Sequence, residues 1–279
     1  MEVEMMGLND GVGSLSVFPT DAEKLAKETI ATKTALLGAE HPATLDSMNK
    51  LVLICLKRNQ VPEALELGTH VVTVGRRILR ADDINLLGSI VQLSDALRQS
   101  QRYEEALILC NEVLGITSND KMGGTRYVRH FAMWQAATIE ERSGKNPGRA
   151  IRLYEEVLAS SKFKTSESRY DDWTAGVLIS LSKLYDLMGK NEEAARGEGK
   201  VLEINRRLYG MGHEWTWHSM ARLANYYSHC NQFTESVKIL TELIEIKRRI
   251  LGAEHADTLA VVDSLVHALC LMEEAGGNH

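Results

Sequence analysis

Leu251-Gly252-Ala253-Glu254-His255-Ala256-Asp257-Thr258-Leu259 decides how this chain is read, because Leu37-Gly38-Ala39-Glu40-His41-Pro42-Ala43-Thr44-Leu45 nearly duplicates it close to the other end. A degraded copy runs from Leu208 to Trp217. Gly210 and Gly252 lie 42 residues apart, and Gly38 and Gly252 lie 214 apart, close to five such steps. A period of that length signals stacked supersecondary units, none of which can bury its apolar face alone.

The segments flanking these stretches read as helices. From Thr20, Leu25, Ile30 and Leu36-Leu37 mark an amphipathic helix that stops at Gly38. Leu45, Met48, Leu51, Val52, Cys55 and Leu56 then recur at three- and four-residue intervals. Pro62 stands where a first helical turn tolerates it, and Ala64, Leu65, Val71, Val72, Ile78 and Leu79 carry the next helix. In the joint, glycine ends one helix, Thr44 or Thr258 is expected to cap the next, and the histidine is expected to tie the linker.

Each second helix is traced by a small residue: Ala64, Ala106, Ala150, Ala194 and Ser236, at steps of 42, 44, 44 and 42. A small side chain there lets the two helices of a hairpin approach closely. The turns before them fall at Asn59-Gln60, Ser100-Gln101, Gly144-Lys145, Gly189-Lys190 and Asn231-Gln232. Lys121-Met122-Gly123-Gly124-Thr125 and Ser160 through Ser166 are longer polar linkers, expected at the surface.

Composition agrees and excludes several function classes. Of 279 residues, 44% are hydrophobic and only four are proline, which favours an all-α protein. A formal charge of −6 with no basic block argues against nucleic acid as a partner. Cys55, Cys110, Cys230 and Cys270 have no Cys-x-x-Cys spacing, so buried free thiols in a reducing compartment are expected. Neither a secretory signal nor a membrane span is read, which places the chain in the cytoplasm, with the nucleus as the alternative.

Gly-x-x-His-Pro-x-Thr-Leu, a helix, a short turn, Glu-Ala and a second helix ending in Arg-Arg-Ile/Leu-Leu-Gly resemble tetratricopeptide repeats of the kinesin light chain type, over residues 20 to 274. Arg80-Ala81-Asp82-Asp83 and Ser118-Asn119-Asp120 depart from the joint pattern in the middle. The resemblance implies a right-handed superhelical solenoid of about five hairpins, with an additional helix at each end. Residues 1–19 are then a loose leader, 20–274 the repeat domain and 275–279 a tail. It also implies a groove in which paired asparagines on the first helices hold a peptide backbone.

At the aligned pairs this chain carries Asn49-Lys50, Val91-Gln92, Trp134-Gln135, Ile179-Ser180, Ala221-Arg222 and Asp263-Ser264. Asn49, Gln92, Gln135 and Ser180 can bond a peptide, and Lys50 and Arg222 can meet a carboxylate. Trp134, with His130 one turn earlier, offers an aromatic wall, whereas Trp217 replaces a joint leucine and is expected in the core. His218, Arg222 and Asn225 share one helix face by spacing.

No catalytic arrangement is read. His213 and His218 are five apart, not the four a zinc helix needs, and Asp171-Asp172 suits a helix start. No metal and no cofactor are expected. The principal reading is a scaffold binding a peptide or protein segment, acidic and aromatic in character. Two alternatives stand beside it. One is a small-molecule pocket or enzyme around His130, Trp134, Trp173, His218 and Arg222. The other is self-association through a final helix bearing Leu265, Leu269 and Leu271.

Overall fold

The computed structural model describes residues 19–119, 124–160 and 168–276. Twelve α-helices and one 3-10 turn make up the regular structure of these residues, and none of them forms a strand. The chain divides into two compact units, residues 1–160 and 161–279. The first holds α1 (Pro19–Leu37), α2 (Pro42–Lys57), α3 (Val61–Ile78), α4 (Ile84–Gln99), α5 (Tyr103–Ile116), α6 (Arg126–Ser143) and α7 (Pro147–Ser160). The second holds α8 (Ser168–Leu187), α9 (Asn191–Tyr209), α10 (Glu214–His229), α11 (Phe233–Leu251) and α12 (Ala256–Gly276).

Consecutive helices pack as hairpins, α2 with α3, α4 with α5, α6 with α7, α8 with α9 and α10 with α11, leaving α1 and α12 as the additional end helices. This is the all-α hairpin repeat that the 42-residue period implies. Ala64, Ala106, Ala150, Ala194 and Ser236 are all buried, so the small residue does sit where two helices meet. Every hairpin turn passes through a left-handed residue: Asn59, Gln101, Gly144, Gly189 or Asn231. Three of these five are not glycine, and Gln101 lacks asparagine's tolerance of that conformation.

Each unit builds its own core. In the first, Leu87, Ile90 and Val91 of α4 interlock with Ala106, Cys110 and Val113 of α5 and with Ala132, Ala136 and Ile139 of α6. In the second, Leu202 of α9, Met220 and Leu223 of α10, Leu240 and Leu243 of α11 and Val261 of α12 do the same. Each such aliphatic side chain contributes about 1.5–3 kcal/mol on leaving water. Gly197 marks a close approach of α9 to α8: a methyl group there would collide with Ser182 Oγ.

The joint works differently from the expectation. The histidine is the cap: His41, His213 and His255 accept at Nδ1 from the amides of Ala43, Trp215 and Asp257, each at 3.2 Å. The threonine is the tie: Thr44, Thr216 and Thr258 donate to the carbonyls of Gly38, Gly210 and Gly252 at 2.9, 2.7 and 2.9 Å. All three threonines are fully buried, and the tie satisfies a carbonyl orphaned at the preceding helix end. In the divergent joint Asp83 takes the cap, accepting from Asn85 at 2.8 Å and Leu86 at 3.2 Å.

Other boundaries shift slightly. α1 starts at Pro19 and α12 runs to Gly276, so the leader and tail assignments fall mainly on residues outside the described ones, as do most of both long linkers. Leu25, Leu36 and Leu37 of α1 and Ile78 of α3 are exposed rather than packed. Cys55 and Cys110 are buried free thiols, whereas Cys230 is half-buried and Cys270 is exposed.

Candidate functional site

The first helices carry the aligned pairs, and helix geometry separates the two members of each pair by roughly 100°. In α6 and α10 the second member turns toward the preceding hairpin. Gln135 of α6 is fully buried, and Cys110 of α5 points its thiol at Gln135 Oε1 across 3.9 Å. Arg222 of α10 donates from Nη2 to Glu198 of α9 at 2.8 Å and to Ser219 Oγ at 3.5 Å. Gln92 is buried in α4. Lys50 remains exposed on α2, paired with Asp46 at 3.0 Å one turn away. Ser180 and Asn49 are half-buried.

The polar seats behind these residues have consequences for charge. Glu198 is fully buried, its Oε2 has no hydrogen-bond partner, and burial pushes its carboxyl above the ordinary value despite Arg222. Tyr226, buried near Glu198 and Asp186, is pushed up to about 12. In the first unit Cys110 is likewise pushed up to about 12 by burial, which leaves an unreactive thiol sharing a 2.9 Å contact with Ser94 Oγ. His130 is also buried, with Nε2 3.2 Å from the Val157 carbonyl, and burial lowers its pKa. It stays neutral and fastens α6 to α7.

What remains at the surface of the first helices is aromatic and polar. In the first unit Trp134 is half-buried and stacks on Phe131, centroids 5.5 Å apart at 21°. In the second, Trp215 is 45% exposed and leans on exposed His218 at 6.3 Å and 60°. Trp215, His218, Arg222 and Asn225 follow one another at three- and four-residue steps, so they form one stripe along α10 with exposed Asn225 at its far end. Trp173 is buried in α8. Trp217 packs half-buried on the second core, its indole nitrogen donating to the Met211 carbonyl at 2.8 Å and Lys247 lying over its ring at 5.2 Å.

The stacking of half-buried Phe131 on Trp134 and the exposure of Trp215 were not legible from the pattern alone. Trp215 did carry a signal, since it sits three residues before His218 on a face already read as shared. Two clefts, of 460 and 390 Å³, lie elsewhere: one along α9 at Leu202 and Arg206, the other at the turns of Gly189 and Asn231. Neither is lined by Trp134, Trp173 or His218. Asp171 pairs with Arg207 at 2.6 Å.

Residues 216–257 match the tetratricopeptide repeat family. This is a tetratricopeptide-repeat fold. The repeats are similar to those in a crystal structure of the nearly identical TPR-like repeats of a kinesin light chain-like protein of Podospora anserina, at 24% identity and a TM-score of 0.63, covering 76% of this chain and 98% of that one. BtubC (BKLC) from P. vanneervenii aligns at 16% identity and a TM-score of 0.63, covering 85% and 93%. A MamA double mutant of strain RS-1 aligns at 15% and 0.51, covering 82% and 96%. Comparison with curated protein sequences finds no match. No helix among the described residues is long and apolar enough to cross a membrane.

Proposed function

We propose that this chain is a protein-interaction scaffold that docks an extended peptide segment along the first helices of its repeats. The carrying observation is the α10 stripe, where an exposed tryptophan, a histidine, an arginine and an asparagine line one face in the second unit. Tryptophan and arginine are the side chains that most often dominate protein–protein affinity. Trp215 supplies an apolar wall, the Asn225 amide can both donate to and accept from a peptide backbone, and His218 adds a ring beside them. Arg222 keeps one face of its guanidinium on Glu198, so it reads an acidic side chain with a partly compensated charge. In the first unit the Phe131–Trp134 stack on α6 and the Asn49-Lys50 pair on α2 offer the same kinds of group on two separate first helices.

The ligand class is therefore an acidic segment bearing aromatic side chains. Selection from a random acidic-aromatic peptide library should return binders. Trp215→Ala should weaken them at least tenfold, consistent with a hot-spot loss of about 2 kcal/mol. Asn225→Ala and Lys50→Glu should each weaken them less. Both leave the core untouched, and Arg222 is best left intact because it neutralises a buried carboxylate. Binders that hold equally to wild type and to all three variants would remove this reading.

A further inference from the structure

The register of the repeat assigns both end helices to half-units, and the two halves are complementary. Counting back 42 residues from Ala64 puts Ala22 of α1 in the series Ala64, Ala106, Ala150, Ala194 and Ser236, so α1 has the register of a second helix, with no first helix before it among the described residues. Counting forward from Ala224 puts Val266 of α12 in the series Val52, Ser94, Ala137, Ser182 and Ala224, so α12 has the register of a first helix, with no second helix packed on it among the described residues.

These two positions meet in the hairpins α2–α3, α4–α5 and α10–α11. Ser94 Oγ donates to the Ala106 carbonyl at 3.2 Å, and Ser236 Oγ donates to the Ala224 carbonyl at 2.8 Å. Across both series the ten residues are at most 1% exposed. At the ends the same positions are bare: Val266 is 54% exposed and Ala22 is exposed. The bareness spreads along each face. Leu259 and Leu269 of α12 are exposed where their α2 counterparts, Leu45 and Cys55, are buried. Leu25 of α1 is 64% exposed, whereas its α3 counterpart Leu67 packs on the α2 core.

We infer that α1 of a second copy of this chain docks on α12, completing a composite hairpin that continues the helix-pair interface made five times within each molecule. Val266 meets the second copy's Ala22 as Val52 meets Ala64, so the pair of residue types already has a precedent in the fold. The contact is heterologous: each molecule offers one face at each end, and association grows head to tail rather than stopping at a symmetric pair.

Sedimentation velocity of the full chain across the micromolar range tests this. The weight-average mass should rise with concentration beyond that of a dimer. Val266→Glu and Ala22→Glu, both at exposed positions, should each give a monomer with an unchanged far-UV circular dichroism spectrum. An equimolar mixture of the two variants should then form a dimer and nothing larger, because each variant retains the face the other has lost. A wild type that stays monomeric would overturn the inference and leave the α12 face to a different protein. Association that survives in Ala22→Glu would overturn it in favour of an α12-to-α12 contact.

Discussion

At His213 a single ring nitrogen holds the first turn of α10, since Nδ1 accepts the Trp215 amide at 3.2 Å. Truncation to alanine should cost about 1 kcal/mol, the usual loss for an N-cap, whereas His213→Asp should be nearly neutral, because Asp83 already does this work at the start of α4. Thermal melts of the two variants separate these outcomes. Arg222 is a heavier commitment. Removing it strands Glu198 as a buried charge, so Arg222→Ala should lose about 3 kcal/mol at neutral pH. Glu198 already holds its proton above the ordinary carboxylate range, so native molecules bind a proton that unfolded ones release, and stability falls as pH rises through that window. The variant's deficit should therefore shrink on acidification from neutrality into the carboxyl range, as read by urea denaturation at both pH values. A deficit independent of pH would count against the stranded charge.

Among the elements, α8 and α9 show how tightly a hairpin can close. Gly197→Ala should destabilise by about 1–2 kcal/mol through overpacking, even though alanine is the better helix former. Adding Ser182→Ala should recover most of the loss, because Ser182 Oγ is buried without a hydrogen-bond partner. A double-mutant cycle showing no coupling would place the cost elsewhere. The helices themselves, their pairing and the small-residue seam were legible in the sequence because period and apolar spacing report packing directly. The inner stripe was less legible. Gln92 and Gln135 are polar residues at aligned positions, yet one residue of rotation carries them into the hairpin junction rather than to solvent. Histidine and threonine in the joint can both accept a backbone hydrogen bond, and only the backbone path decides which one does.

Across the whole molecule, two compact units with separate cores imply two separately responding regions. Leu243→Ala, which opens a cavity between α10 and α11, should cost about 2–5 kcal/mol. Native-state hydrogen exchange should then show lost protection in α9 through α12 and little change in α4 and α5, as nearest-neighbour stability in repeat proteins requires. Uniform loss across all helices would mean that the chain unfolds as one cooperative body.

The glycine-to-threonine tie carries a consequence for descent. The tie of each joint closes within seven residues, from the Gly38 carbonyl to the Thr44 hydroxyl, and again from Gly210 to Thr216 and from Gly252 to Thr258. A duplication or deletion whose breakpoints fall at matching points of two units leaves each joint chemically whole. Such a gene can lengthen or shorten in whole units without first inventing a compensating change, and the near-duplicate joints at opposite ends of this chain are what that history would leave behind.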